Sequence, residues 1–233
     1  MTSLPFKIVR KLLRPLLPAY YRRLYGRSFP GAAGLDRWVR SFEQRAGRGD
    51  VPLSRHVWDE QYGRGEWDFL ERSDELARYV LIAGYVAKLA AGGRVLDVGS
   101  GDGLLLDHLA PHGYEHYTGV DLSEVAVERG RARRRPAARF EAADAESWQP
   151  DGSCDAVVLN ECLYYFEQPE ATTQRYLGHL APGGVAIVSM FRSPRTDAIA
   201  RRLARLVPPA EEIELRHRKG AWRILVLRPE GRP

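Results

Sequence analysis

The sequence predicts an α/β protein built on a mostly parallel sheet, and three observations carry that expectation. A short apolar run, Val95, Leu96 and Val98, is followed by glycines at 99, 101 and 103 and then by the leucine-rich start of a helix at Leu104, Leu105 and Leu106. Two further apolar runs, Cys154–Leu159 and Val185–Met190, are separated by a helical stretch, the pattern of buried parallel strands joined by crossovers. Near the C-terminus, Ile213–Leu215 and Trp222–Leu227 flank Lys219-Gly220, a hairpin signal.

From the N-terminus, residues 4–25 place apolar or aromatic side chains at 9, 12, 13, 16, 17, 20, 21 and 24. That is a helical stripe with Lys7, Arg10, Lys11, Arg14, Arg22 and Arg23 around it. Pro15 and Pro18 should kink or divide it. Residues 1–48 carry 11 Lys/Arg against only Asp36 and Glu43, whereas the remainder has 24 basic and 28 acidic residues. The net charge of +5 therefore belongs to a basic extension, residues 1–50, preceding a mildly acidic domain, residues 51–233. Arginine supplies 31 of the 35 basic residues, a bias that base composition of the coding DNA explains as well as anion binding does. Three readings of the arm stay open: an interfacial helix on an anionic membrane, a docking arm against the chain's own core or a partner, or a transit peptide. No apolar run approaches the roughly 18 residues that span a bilayer. Residues 26–34, with Gly26, Pro30, Gly31 and Gly34, read as a linker. Leu35, Trp38, Val39 and Phe42 share a helical face, and Gly47 and Gly49 should end that helix.

A glycine-punctuated aromatic segment, Trp58 to Leu70, precedes the core and contains Trp58, Tyr62 and Trp67. A helix follows from about Ser73 to Ala91, with Asp74 and Glu75 in its first turn and Leu76, Tyr79, Val80, Ala83, Val86 and Ala87 as its expected inner stripe. Further helices are expected at 103–111, at 123–134 with Ser123 as N-cap, at 169–181 and at 196–206, and further strands at 117–121 and 139–141. Arg131, Arg133, Arg134 and Arg135 at the end of helix 123–134 complement the helix dipole or bind phosphate. Cys154 and Cys162 have no metal or disulfide spacing and read as buried thiols, compatible with a reducing, cytoplasmic compartment. The six histidines show no metal-ligand motif, so no metal is expected, and only His56 lies near enough to the aromatic segment to be considered for a substrate pocket.

Strand, glycine turn and helix form a Rossmann-like nucleotide-binding unit, and Asp121, 22 residues after Gly99, stands where an acid reaches a ribose hydroxyl. The dinucleotide fingerprint Gly-x-Gly-x-x-Gly fails at Leu104. A nucleophile elbow around Ser100 fails at Val98 and Asp102. The pattern present, Asp97-x-Gly99-Ser100-Gly101-x-Gly103, resembles motif I of class I S-adenosylmethionine-dependent methyltransferases. Leu180-Ala-Pro-Gly-Gly184 resembles the turn before that family's fifth strand, and Asn160-Glu161-Cys162-Leu163-Tyr164-Tyr165 resembles a subset with nodulation-type N-methyltransferases and methyltransferases of saccharides and secondary metabolites. The resemblance covers roughly residues 55–230. It implies a Rossmann-like, seven-stranded, mostly parallel sheet with a terminal antiparallel hairpin and helices on both faces. It also implies S-adenosylmethionine as cofactor, with Asp97 near the methionine amino group, Asp121 and Leu122 at the ribose, Asp144 and Ala145 at the adenine, and Asn160 beside them. Trp58, Tyr62, Trp67, Tyr164 and Tyr165 become lid or substrate residues, although packing on the core would explain the first three equally well.

The expected reaction is methyl transfer to oxygen or nitrogen of a small-molecule acceptor. Glu161 is the candidate general base, with orientation of a substrate amine or helix capping as its alternatives. Two other functions compete. A nucleic-acid methyltransferase would use the basic arm, but the core is acidic and no Asn/Asp-Pro-Pro-Tyr/Phe sequence follows the fourth strand. A non-catalytic cofactor-binding subunit would dock a partner or membrane through residues 4–25. The acceptor and the oligomeric state are not legible.

Overall fold

The structure, a computed structural model, describes residues 13–25, 27, 29–45, 54–218 and 220–229. Its α-helices are α1 (Leu17–Arg23), α2 (Ala32–Arg45), α3 (Arg55–Gly63), α4 (Ser73–Leu89), α5 (Leu104–Leu109), α6 (Glu124–Ala132), α7 (Pro169–Leu177) and α8 (Pro194–Leu206). Its strands are β1 (Arg94–Val98), β2 (His116–Asp121), β3 (Ala138–Ala142), β4 (Cys154–Asn160), β5 (Leu180–Phe191), β6 (Glu211–His217) and β7 (Gly220–Leu227). One seven-stranded sheet runs β3-β2-β1-β4-β5-β7-β6. All pairings from β3 to β5 are parallel, and β7 is antiparallel to both β5 and β6. The expected sheet, with its terminal hairpin, is the sheet observed.

The strands read as apolar runs because both faces are covered. On one face, Leu96, Val98, Leu159 and Val188 pack against Tyr176 and Leu177 of α7 and Ile199 and Leu203 of α8. On the other, Val95, Val158 and Ile187 meet Ile82 and Val86 of α4, Leu105 and Leu106 of α5 and Val127 of α6. Because β1 lies between β2 and β4, the chain leaves it in opposite directions, and a cleft opens beyond the strand C-termini at that switch point.

Caps fit their helices. Ser123 accepts from the Ala126 N–H at the start of α6. Ser193 and Thr196 form a capping box on α8, with Pro194 in its first turn, where a missing N–H is harmless. Cys154 and Cys162 are buried free thiols.

Several expectations need correction. On α4, Leu76 and Val80 are exposed (45% and 52%), while Glu75, Arg78 and Ile82 are buried. The helix turns a charged pair inward because the cleft, not the apolar core, receives its first half. The helix expected over 169–181 ends at Leu177, capped by Gly178, and residues 180–184 belong to β5. There they form an irregularity: Leu180 pairs with Cys154 and Val185 with Ala156, so the Pro-Gly-Gly segment loops out between two ladder positions. The arginines after α6 bind carboxylates and main chain: Arg133 reaches Asp107 and the Asp102 carbonyl, and Arg135 reaches Asp107 at 3.0 Å.

At the N-terminus the two prolines divide the expected helix. Pro15 sits in a 3-10 turn, Arg14–Leu16, and Pro18 opens α1. Tyr20 donates to Asp36 and Tyr21 to Glu43, tying α1 to α2. Leu17, Tyr20, Tyr21, Val39 and Phe42 pack with Ala198 of α8, so the described part of the arm docks on the chain's own core. Trp38, expected on the same face, is 52% exposed and stacks on Phe42. Among the described residues, no helix is long and apolar enough to cross a membrane. Residues 4–12, Gly47, Gly49 and the boundary at residue 50 lie outside the described residues.

Phe140 of β3 fills a space made by three glycines. A Cβ at Gly103, Gly119 or Gly130 would come within 2.6–2.7 Å of its ring. Replacing Phe140 by Ala should cost about 3–5 kcal/mol, as for other buried aromatics. Chemical denaturation would measure it, and a loss under about 1 kcal/mol would show that the ring does not support the turn.

Candidate functional site

The cleft holds a cavity of about 760 Å³. It is lined by every residue expected at the site except Gly103: Asp97, Gly99, Ser100, Gly101, Asp121, Leu122, Asp144, Ala145, Asn160 and Glu161 below, and Trp58, Tyr62, Trp67, Tyr164 and Tyr165 above. Gly103 instead caps α5 at φ +83° and makes room for Phe140. His56, considered for the pocket, has an 82% exposed side chain beside Glu60 and does not line the cavity.

Asp97 lies near the C-terminal end of β1, 2% exposed. Its Oδ2 accepts from the Tyr117 hydroxyl at 2.5 Å, and its Oδ1 has no partner among the described residues. Burial pushes its pKa up to about 7, opposed by the Tyr117 bond. The turn after it is close to its neighbours: a Cβ on Gly99, at φ +69°, would fall 2.4 Å from the Cys162 Cβ, and one on Gly101 2.7 Å from the Tyr62 hydroxyl. Asp121 receives the Gly101 N–H at 2.8 Å and the Ser123 N–H at 2.9 Å, fixing the glycine turn against β2. Burial raises the Asp121 pKa, and these backbone donors oppose it. Asp144 is exposed at the rim and accepts the Glu146 N–H at 2.9 Å.

Glu161 follows β4 with φ +58°, a left-handed conformation that costs a non-glycine residue about 1–3 kcal/mol unless its surroundings impose it. They do. Its N–H bonds the Ser189 carbonyl at 3.0 Å, Oε1 accepts from the Ser189 hydroxyl at 2.8 Å, and Oε2 accepts from the Phe191 N–H at 2.9 Å and the Tyr164 hydroxyl at 3.0 Å. Burial raises the Glu161 pKa; the charge of Arg78 and the three donors oppose this.

Sequence reasoning missed the inward face of α4. Arg78, 1% exposed, donates to Asn160 and, at 3.0 Å, to Glu75, while its Nε has no partner. Its guanidinium lies 4.5 Å from the Tyr79 ring centroid and 5.9 Å from that of Trp222. The signal was present: Glu75, Arg78 and Ile82 recur at helical spacing, with charge where an apolar stripe was sought. Phe69, Phe191 and Trp222, also unassigned, line the cavity.

The aromatic roof is tied down from outside. Trp58 meets Tyr165 edge-on at 4.8 Å and Trp67 at 5.4 Å. Asp59 of α3 accepts from the Ser123 hydroxyl at 2.7 Å, and Arg129 of α6 donates to the Tyr62 carbonyl at 2.6 Å and to Asp68 at 3.0 Å. The roof is therefore fastened through Ser123, whose own N–H binds Asp121.

A sequence profile of a family described as a methyltransferase domain matches residues 69–230. The chain belongs to this family of methyltransferase domains. The resemblance drawn from Asp97 and the glycines holds at that level. A trans-aconitate 2-methyltransferase from Variovorax paradoxus is 34% identical over 129 residues, 54% of this chain and 49% of that protein. The chain spans about half the length of the curated relatives it matches. Among solved structures, the N-methyltransferase NodS of Bradyrhizobium japonicum with S-adenosyl-L-homocysteine aligns at TM-score 0.62 and 20% identity, over 71% of this chain and 92% of that one. A Burkholderia thailandensis 1,6-didemethyltoxoflavin N1-methyltransferase, with its substrate and S-adenosylhomocysteine, aligns at 0.63 and 20% identity, over 75% and 86%. These likenesses show the fold.

Asp97 carries a pH prediction. Its pKa is raised from 3.8 to about 7 on folding, so its contribution to stability is full below the unfolded value and is lost as pH rises through 7. The melting temperature of Asp97→Asn should gain on the wild type as pH goes from about 5 to about 8. A difference that stays constant in thermal melts would show that Asp97 does not pay to ionise.

Proposed function

We propose that this domain transfers a methyl group from S-adenosylmethionine to an oxygen or nitrogen of a small-molecule acceptor, a saccharide or secondary-metabolite intermediate. The observation that carries the reading is Asp97, which lines the cavity beside glycines that admit no Cβ and whose buried Oδ1 has no partner among the described residues. An ammonium group would satisfy it. The residues present suit this cofactor: Asp97 for the amino group, Asp121 for the ribose, and Asp144 and Ala145 at the adenine end, under Trp58, Tyr62 and Trp67.

When bound, the cofactor supplies a methyl group already activated on a sulfonium. The chain aligns the acceptor and excludes water, a contribution that reaches about 7–11 kcal/mol in favourable cases. The roof closes the cavity above, and Asn160 and Glu161 face it from the end of β4. Glu161 serves as general base: burial raises its pKa, which makes the carboxylate a stronger proton acceptor, and its fixed conformation keeps it at the cavity. Among the described residues, the cavity lining holds eight carboxyl groups and a single guanidinium, which disfavours a phosphate backbone and favours a small molecule over nucleic acid.

Calorimetric titration tests the cofactor. S-adenosylmethionine should bind in the micromolar range and NAD should not; the reverse would overturn the reading. Asp121→Ala should weaken cofactor binding by at least about tenfold, equivalent to 1.4 kcal/mol. Glu161→Gln should lower turnover by about 10²–10⁴ while leaving cofactor affinity unchanged. Full turnover in that variant would remove Glu161 as base.

A further inference from the structure

The cavity has two chemically different ends. The glycine turn and Asp121 lie on the β1–β2 side. On the β4–β5–β7 side lie Glu75, Arg78 and Glu161, walled by Tyr164, Phe191 and Trp222. These walls touch one another: Phe191 meets Trp222 edge-on at 5.6 Å, and the Arg78 guanidinium stands against the Trp222 ring.

The charges at this end do not cancel. One guanidinium is shared between two carboxylates, by an ion pair to Glu75 at 3.0 Å and by its field at Glu161. Two carboxyl groups thus face one guanidinium, in a pocket whose aromatic faces also attract cations. Two of the guanidinium's five N–H bonds go to Asn160 and Glu75, and its buried Nε has no partner among the described residues. Among the described residues one guanidinium, already paired with Glu75, stands at this end; it cannot neutralise an acceptor with several negative charges, and burying such an acceptor beside Glu161 would cost heavily.

We infer that the acceptor is an amine, bound as its ammonium form against Glu161 between the rings of Tyr164, Phe191 and Trp222, and that anionic acceptors are refused. The inference rests on the methyltransferase reading above and names the acceptor class for that site. The ammonium gives one proton to the Glu161 carboxylate. The freed nitrogen lone pair forms a bond to the methyl carbon as the carbon–sulfur bond breaks, its electron pair returning to sulfur. The product is a methylammonium ion and a thioether, and Glu161 passes its proton to solvent. The refusal separates this chain from its trans-aconitate-methylating relative, whose named substrate is a tricarboxylate.

The test uses the full chain saturated with S-adenosylhomocysteine and three probes that share one aromatic body: 2-phenylethylamine, 2-phenylethanol and 3-phenylpropanoate. Binding is read by calorimetric competition. The amine should bind at least about tenfold more tightly than the carboxylate, with the alcohol between them. In Glu161→Gln that preference should fall below about threefold, with affinity for S-adenosylhomocysteine unchanged. Conversion of trans-aconitate, or absence of discrimination among the probes by equal binding or by none, overturns the inference while leaving the cofactor reading intact. Failure of S-adenosylhomocysteine itself to bind overturns the cofactor reading, and the inference with it.

Discussion

The burial of Asp97 is the constraint to which the rest of this structure answers. A carboxylate near the end of β1, almost without solvent and with one bonded oxygen, opposes its own ionisation. The fold tolerates it because Tyr117, on the neighbouring strand, covers one oxygen and because the turn that follows is glycine at three alternate positions. Those glycines bring backbone up to the Cys162 and Phe140 side chains, and Asp97 lines the cavity beside them. Such a group is a cost in the empty protein and an attraction for a cation, which is the compromise expected where function competes with stability.

Around that point the site is assembled by adjacency in the sheet. The strand order places the ends of β2, β1, β4 and β5 side by side, so Asp121, Asp97, Glu161 and Phe191 need no long-range reach to share one cavity. The roof is fastened where it meets the same elements: Ser123 caps α6, binds Asp59 of the roof and is itself bound by Asp121. Asp121, helix cap and roof are thus linked through one serine. The N-terminal arm packs elsewhere, on α8, and its tyrosines meet acids of α2.

Most of the fold was legible because its signals are local. Apolar runs, glycine turns and caps such as Ser123 act over a few residues, and they placed all seven strands. The floor of the site was legible for the same reason, since Asp97 and Asp121 stand in the last residues of their strands and Glu161 directly follows β4. What sequence pattern misjudged depends on distant partners. Arg78 turns inward because Asn160 and Glu75 receive it, and Leu76 and Val80 turn outward as a result, which an apolar stripe cannot foresee. Trp222 and Phe191 enter the site through the antiparallel pairing of β5 and β7. The end of α7 moved because Leu180, which suits a helix, is claimed by a strand pairing with Cys154.

The most direct measurement is the proton balance of cofactor binding, taken by calorimetry at pH 7 in buffers of different ionisation enthalpy. If Asp97 titrates near 7 in the empty protein and receives a cationic amino group on binding, association should release about half a proton, and Asp97→Asn should release none. Proton uptake, or a release that survives the substitution, would contradict the assignment of that buried carboxylate as the seat of the ligand's positive charge.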